Sequence, residues 1–303
     1  MKFAITIPCY KAETYIIETL QAIEAQGASL QNIEEIVLGD DCSPDQTIKK
    51  ALDYWGKKSP KLRIFKKSRN YGEMINVNSM VASLPDHVEW FFHMHGDNIP
   101  MPEWCKTFQE TCKKADSSIG IICASYEVFD GSKTKDLGDS RGGMEIINGS
   151  PDSVLGTLKR GCWWHNSCTA IRRDFFLGVG GFPPGMRQKG DWDFLLRYLS
   201  LGYSVQYLQK PLMRYREHPN SASGFAFERN LDLEESLQIV LKYASITPFC
   251  QNFVYHFKNS IILCKRFGKS VLLWNIQRAK SSLFMQIRNI SNLVSCIALR
   301  MSR

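Results

Sequence analysis

Trp90-Phe91-Phe92-His93-Met94-His95-Gly96-Asp97-Asn98-Ile99-Pro100-Met101-Pro102-Glu103-Trp104 is the stretch on which the reading of this chain turns. Its aromatic start is a short apolar run bounded by breakers, the length of a buried strand and too short for a helix. The run stops at His95-Gly96-Asp97-Asn98, a Gly-containing turn with ligand-type side chains. Two prolines then open a helix, since proline is tolerated in a first turn and Glu103 suits the dipole there. Polar groups at the carboxyl end of a buried strand stand where open α/β sheets bind ligands. From this stretch alone, a plain strand-to-helix turn with solvated polar residues reads equally well.

The flanking chain decides. Upstream, Phe3 to Ile7 is an apolar strand that stops at Pro8, and Ala12 to Gln26 has helical spacing at Ile16, Leu20 and Ile23. Glu34 to Leu38 is a second strand, Gln46 to Trp55 a helix, Leu62 to Phe65 a third strand, and Gly72 to Leu84 a helix. Val88 to Met94 is the fourth strand. Downstream come a helix from Pro102 to Ala115 and a strand from Ile119 to Phe129. Strands alternating with helices, each closing in turn residues, predict an α/β fold with a mostly parallel, Rossmann-like central sheet. Asp130 to Asp152 breaks into Gly, Ser, Lys and Asp, a loop long enough to be functional. A helix from Asp191 to Leu201 and a strand from Val205 to Leu208 follow, and from Glu228 the spacing is helical only. These breaks predict an α/β domain over 1–225 and a helical region over 226–303.

Composition is that of a folded globular chain, 44% hydrophobic and 22% charged over 303 residues. The net charge of +8 is concentrated at one end: Phe249 to Arg303 holds nine Lys and Arg and no Asp or Glu. Such asymmetry points to an acidic partner surface or to a solvated helical face. The ten cysteines are scattered without a CxxC pair, and several sit in apolar runs as small hydrophobes. With no signal-type h-region and no apolar run of spanning length, the expected location is cytoplasmic.

Six turns, in order, resemble one family. Ile7-Pro8-Cys9-Tyr10-Lys11-Ala12-Glu13 is similar to the I-P-x-Y-N-x-E opening of family 2 glycosyltransferases. Leu38-Gly39-Asp40-Asp41-Cys42-Ser43-Pro44-Asp45 resembles their V-x-D-D-x-S-x-D, and Asn70-Tyr71-Gly72 with Asn78 their N-x-G and later Asn. His95-Gly96-Asp97-Asn98 occupies the place of the D-x-D-D metal motif. Gly180-Gly181-Phe182 precedes Gly190-Asp191-Trp192-Asp193, in the place of the family's E-D. Tyr215-Arg216-Glu217-His218 with Ser221 and Ser223 resembles the closing pattern of the catalytic domain. The resemblance covers residues 3 to 223 and implies a GT-A fold; it is silent on the C-terminal helices.

It implies a nucleotide-sugar donor, a UDP-sugar, bound by Pro8, Tyr10, Glu13, Asp40, Asn70 and Gly72. Asp40 also reads as a helix cap or loop carboxylate, although Asp45 is better placed to cap; Asn70 and Gly72 also read as a tight turn. Departure of the diphosphate needs positive charge, which a divalent cation on Asp97 and His95, with His218 as a further candidate, would supply. His95 stands where the family has Asp. Imidazole is better tolerated by Mn²⁺ than by Mg²⁺, so Mn²⁺ is expected to serve at least as well. Asp191 matches the base of an inverting transfer, with Asp193 as competitor and Gly190 in place of the usual Glu. Trp163, Trp164 and His165 are acceptor candidates or core.

The expected acceptor is a glycan or lipid-linked hydroxyl in cell-surface polysaccharide synthesis. The basic C-terminal stripe would lie on an anionic membrane, making the protein peripheral to its cytoplasmic face, or pack on the catalytic domain or a second subunit as a homo-oligomer. A non-catalytic sugar- or nucleotide-binding protein of the same fold is the alternative. A nucleotidyltransferase would need a Gly-rich basic loop after its first strand, which is lacking, and a nucleic-acid partner leaves the motif series unexplained.

Overall fold

The computed structural model describes residues 1–56, 61–131, 133–137, 145–218, 221 and 226–301. The first half alternates as the sequence predicts: β1 (Phe3–Cys9), α1 (Ile16–Glu24), β2 (Ile33–Asp40), α2 (Thr47–Trp55), β3 (Leu62–Lys66), α3 (Glu73–Ala82) and β4 (Trp90–His93). A two-residue β5 (Ile99–Pro100) precedes α4 (Trp104–Lys114) and β6 (Ile119–Phe129). Then come β7 (Thr134–Leu137), β8 (Ile146–Ile147), α5 (Pro151–Arg160), β9 (Thr169–Arg172), α6 (Arg173–Gly178), α7 (Gly190–Ser200) and β10 (Ser204–Arg216). Helices α8 (Leu231–Lys242), α9 (Phe249–Leu272) and α10 (Ile276–Met301) follow.

The sheet runs β3-β2-β1-β4-β9-β6-β10-β5, with β7 on β6 and β8 on β10. Pairings among β1 to β4 are parallel, as is β6 with β10. β9 reverses the direction between β4 and β6, so the sheet is mixed at this point. Four residues with ladder partners on both edges need no amphipathic pattern of their own, which is why β9 is invisible in the sequence. β10 runs on past the predicted Leu208 to Arg216 because its register shifts around Pro211; an irregularity is where a strand tolerates proline.

The aromatic run is the centre of the core. Every residue of β1 and β4 is buried. Phe92 packs against Phe3, Trp104 and Phe108 at ring distances of 5.2, 5.7 and 5.5 Å. Phe91, pointing the other way, meets Phe176 edge-on at 5.4 Å. With both faces covered, β4 delivers its last residues to a fixed place at the carboxyl edge of the sheet.

The chain forms two compact units: 1–154 with 162–185 and 190–217, and 155–161 with 186–189 and 218–303. The break follows Glu217, whereas the predicted boundary, 225, lies outside the described residues, as does Ser223. The predicted 130–152 loop contains β7 and β8, and its residues 132 and 138–144 are likewise outside the described set. In the second unit, buried Glu235 accepts backbone N–H bonds from Arg187, Gln188 and Lys189 at 2.7, 2.8 and 2.7 Å. All ten cysteines are free thiols.

Candidate active site

The turn after β4 is held at almost every polar backbone atom. The His95 N–H and the Asn98 side-chain amide both donate to Ser167 Oγ, at 2.8 and 3.0 Å. Gly96 N–H donates to the Pro8 carbonyl at 3.2 Å. The Thr19 hydroxyl lies 3.1 and 2.8 Å from the Gly96 and Asn98 carbonyls. From β10, buried Arg216 donates through Nε to the Asp97 carbonyl and through its backbone N–H to Asn98 Oδ1, both at 3.0 Å, while its guanidinium pairs with Glu18. A Cβ on Gly96 would fall 2.4 Å from Cys9 Sγ, so only glycine lets the turn sit this close to β1. The turn is therefore built before any ligand arrives.

Glu73, His93 and His95 each bring one ligand atom to within 4.8 Å of the others. Glu73 begins α3, directly after Gly72, whose φ of +91° requires glycine. His95 Nε2 lies 3.1 Å from Glu73 Oε1, which also accepts from the Asn166 amide at 3.2 Å. Burial alone would lower the His95 pKa, but Glu73 first, then Asp97 and Asp191, hold it raised. Burial likewise opposes ionised Glu73, yet His95, His93 and the Asn166 amide together pull its carboxyl down to about 2. His93, fully buried, is pushed down to about 3 by burial and by His95 and is neutral. Its Nδ1 meets Thr6 Oγ1 at 2.9 Å, and its Nε2 is buried with no hydrogen-bond partner. An orphaned imidazole nitrogen costs roughly 1–3 kcal/mol unless something occupies it. One carboxylate and two imidazoles match the donor preference of Mn²⁺ better than the all-oxygen preference of Mg²⁺.

Asp191, in the first turn of α7, accepts from Cys162 Sγ at 3.5 Å and contributes to the field on His95. Asp193 is buried and paired with Arg197 at 2.7 Å, and Arg197 in turn donates to the Gly181 carbonyl. A Cβ on Gly190 would lie 2.6 Å from Met74 Sδ, so the next residue after Glu73 fills the space a side chain at 190 would need. Trp163 and Trp164 are buried, the latter stacked on Phe194 at 6.1 Å, which is core packing. His165 sits against Tyr126 and Tyr215 at 5.0 and 4.7 Å and is pushed down to about 3 by burial and by His95. Of the predicted metal ligands only His95 is in the Glu73–His93–His95 group; Asp97 is not, and neither is His218, which falls in the second unit two residues after β10.

The model of glycosyl transferase family 2 matches residues 4–176, more than half of the chain. The chain belongs to glycosyl transferase family 2. Solved structures of the same fold include Staphylococcus aureus TarS in complex with UDP-GlcNAc (12% identity, TM-score 0.62, covering 94% of this chain and 90% of that one). Against the longer TarS chain the identity is 17% and the TM-score 0.58, with 81% of this chain covered but only 43% of TarS. The mannosyltransferase PcManGT from Pyrobaculum calidifontis, solved with GDP-Man and Mn²⁺, matches at 14% identity and TM-score 0.55, covering 99% and 74%. These structures share the GT-A-like fold: a curled, mostly parallel sheet followed by helices. A search of curated proteins finds no match.

In this family 2 glycosyltransferase most motif residues act as clamps between loops. Asp41 accepts from the Tyr71 and Gly72 N–H groups at 2.9 and 2.7 Å, tying the β2 turn to the α3 turn. Asp40, fully buried, accepts from Ser43 N–H at 3.1 Å. Glu13 accepts from Gln46 N–H at 2.9 Å while Asp45 accepts from Glu13 N–H and the Thr47 hydroxyl, at 3.3 and 2.6 Å. Asn78 exchanges two bonds with the Phe182 backbone, 2.7 and 2.8 Å, anchoring the Gly-Gly-Phe turn. Tyr10 remains exposed beside Lys11, whose ammonium lies 5.3 Å from the ring, and Asn70 is exposed. Glu73 and Ser167 are absent from the sequence reading of the site, and His93 and Arg216 occur there only within quoted stretches, without a role. His93 is hidden inside an aromatic run, and Glu73 reaches the turn only through the fold.

Proposed function

We propose that this glycosyltransferase moves a sugar from a UDP-sugar to a hydroxyl of a glycan or lipid-linked acceptor, with inversion, in surface polysaccharide synthesis. The observation that carries the reading is the cluster of Glu73, His93 and His95 at the carboxyl edge of the sheet, their ligand atoms within 4.8 Å of one another. The proposed ligand set is His95 and Asp97 with Glu73 and His93, and Mn²⁺ is favoured over Mg²⁺. A divalent cation bound there supplies the positive charge that a departing nucleoside diphosphate needs. Pro8, Tyr10, Glu13, Asp40, Asn70 and Gly72 are the proposed nucleotide side. Asp191 takes the acceptor proton; the engagement of Asp193 with Arg197 supports that choice over its neighbour. His165, rather than the buried indoles, is the proposed acceptor contact.

The His95–Glu73 pair also suits a non-catalytic sugar-nucleotide binder, in which the imidazole and carboxylate satisfy each other. A thermal-shift series of nucleotide sugars with Mn²⁺ tests binding, since a ligand of the folded state raises apparent stability. A rise with a UDP-sugar, followed by release of UDP on incubation, supports the enzyme; a rise without turnover supports the binder.

A further inference from the structure

Helices α9 and α10, joined by a turn at Trp274, form a hairpin with an exposed apolar face. Their buried faces carry a polar group of residues beside the apolar Leu263, Met285 and Cys296. His256 Nδ1 lies 2.7 Å from Asn289 Oδ1, and the Asn289 amide donates to the His256 carbonyl and to Ser260 Oγ, at 2.8 and 2.9 Å. Asn259, Ser270 and Ser282 are buried as well. The outward faces are apolar: Phe253 stacks on Phe257 at 6.3 Å along α9, and Leu283, Ile287, Ile290 and Val294 recur at helical spacing along α10, all exposed. At the tip Leu272, Leu273 and Trp274 are 80%, 65% and 88% exposed. A hairpin stabilised for water would bury these side chains and expose the amides and hydroxyls. An apolar surface this continuous marks a docking face.

Charge selects the occupant. Lys265, Lys269, Arg278 and Lys280 surround the tip, and no acidic residue occurs from Phe249 onward. A second copy of the hairpin would bring like charges together, whereas an anionic bilayer takes both the apolar face and the cations. Among the described residues no helix is long and apolar enough to cross a membrane. Tryptophan at the tip suits the headgroup boundary. We propose that the α9–α10 hairpin docks on an anionic lipid surface, its outward apolar face entering the headgroup region and the Leu272-Leu273-Trp274 tip seated deepest. This inference does not depend on the donor or metal assigned above.

The test is co-sedimentation of the full chain with vesicles of phosphatidylcholine alone and of phosphatidylcholine mixed with phosphatidylglycerol, at low and high salt. Binding to the anionic vesicles, weaker at high salt and on neutral lipid, is expected. Leu272→Ser/Leu273→Ser/Trp274→Ser should reduce partition at least about tenfold. Its thermal melt should be unchanged, because all three side chains face solvent. The wild-type minus Trp274→Phe fluorescence difference should shift to the blue on anionic vesicles. Equal partition of the triple variant and the wild type, or no vesicle binding together with a concentration-dependent dimer in sedimentation equilibrium, would overturn the proposal; the second outcome would assign the face to another copy.

Discussion

Replacing Gly96 by alanine tests whether the metal-side turn owes its position to close approach. Gly96 is not among the positive-φ glycines, so alanine meets no backbone strain. What it meets is Cys9 Sγ at 2.4 Å, with Ile16 Cδ1 and the Pro8 carbonyl at 3.4 Å. That is roughly 1 Å inside an ordinary contact of about 3.5 Å. Cys9 is buried and cannot swing clear, so the turn or β1 must shift, and overpacking of this kind costs roughly 1–3 kcal/mol. At about 2–4 °C per kcal/mol for a domain of this size, Gly96→Ala should melt roughly 2–12 °C lower. A displacement near 1 Å at His95 and Asp97 should lower Mn²⁺-supported UDP release about 100-fold. Cys9→Ala removes the obstructing sulfur. In the double variant, melting and turnover should both recover in part, with a coupling energy of about 1 kcal/mol or more. Strictly additive melts, or a Gly96→Ala protein with normal stability and turnover, would refute the close-approach argument.

Other perturbations separate positioning from chemistry. Arg216→Leu removes the charged hydrogen bond to the Asp97 carbonyl and the pairing with Glu18, and should cost roughly 2–4 kcal/mol in a denaturant titration. Glu18→Gln, whose carboxylate is half exposed, should cost under about 1 kcal/mol by the same measurement. Asp193→Asn weakens the charged pairing of buried Asp193 with part-buried Arg197, which keeps its bonds to the Val179 and Gly181 carbonyls, and should destabilise by roughly 1–3 kcal/mol, whereas Asp191→Asn should melt normally, bind UDP normally and lose transfer by about 10²–10⁴-fold. If Asp191→Asn kept its turnover, the base would have to be reassigned. Glu73→Gln should weaken Mn²⁺ binding in a calorimetric titration at least about tenfold; unchanged affinity would remove Glu73 from the ligand set.

The alternation of apolar runs and turn residues was enough to read the layered architecture, because each of the first four strands is closed by its own breakers. β9 was not legible: its order comes from partners on both edges, and its four residues carry no period. The motif positions were legible as a series, yet much of what they do is structural. Asp41 and Asn78 tie loops together, a role that depends on neighbours about 30 and 100 residues away. Of two departures from the family pattern, only the second has a local physical reason. Lys11, where the family has Asn, holds a left-handed φ of +54°, a conformation that Asn adopts more readily. Gly190, where the family has Glu, leaves the room that Met74 fills. Glu73 brings a carboxylate to 3.1 Å from His95, although no spacing along the chain connects it to β4.

The most direct test of the central claim is UDP release from a UDP-sugar by the purified chain, stripped with EDTA and titrated back with Mn²⁺ or Mg²⁺. The account predicts no release in excess EDTA, recovery with Mn²⁺, and recovery with Mg²⁺ no better than with Mn²⁺. Full turnover in excess EDTA would contradict the metal site, and no turnover of any nucleotide sugar with Mn²⁺ would contradict the enzyme.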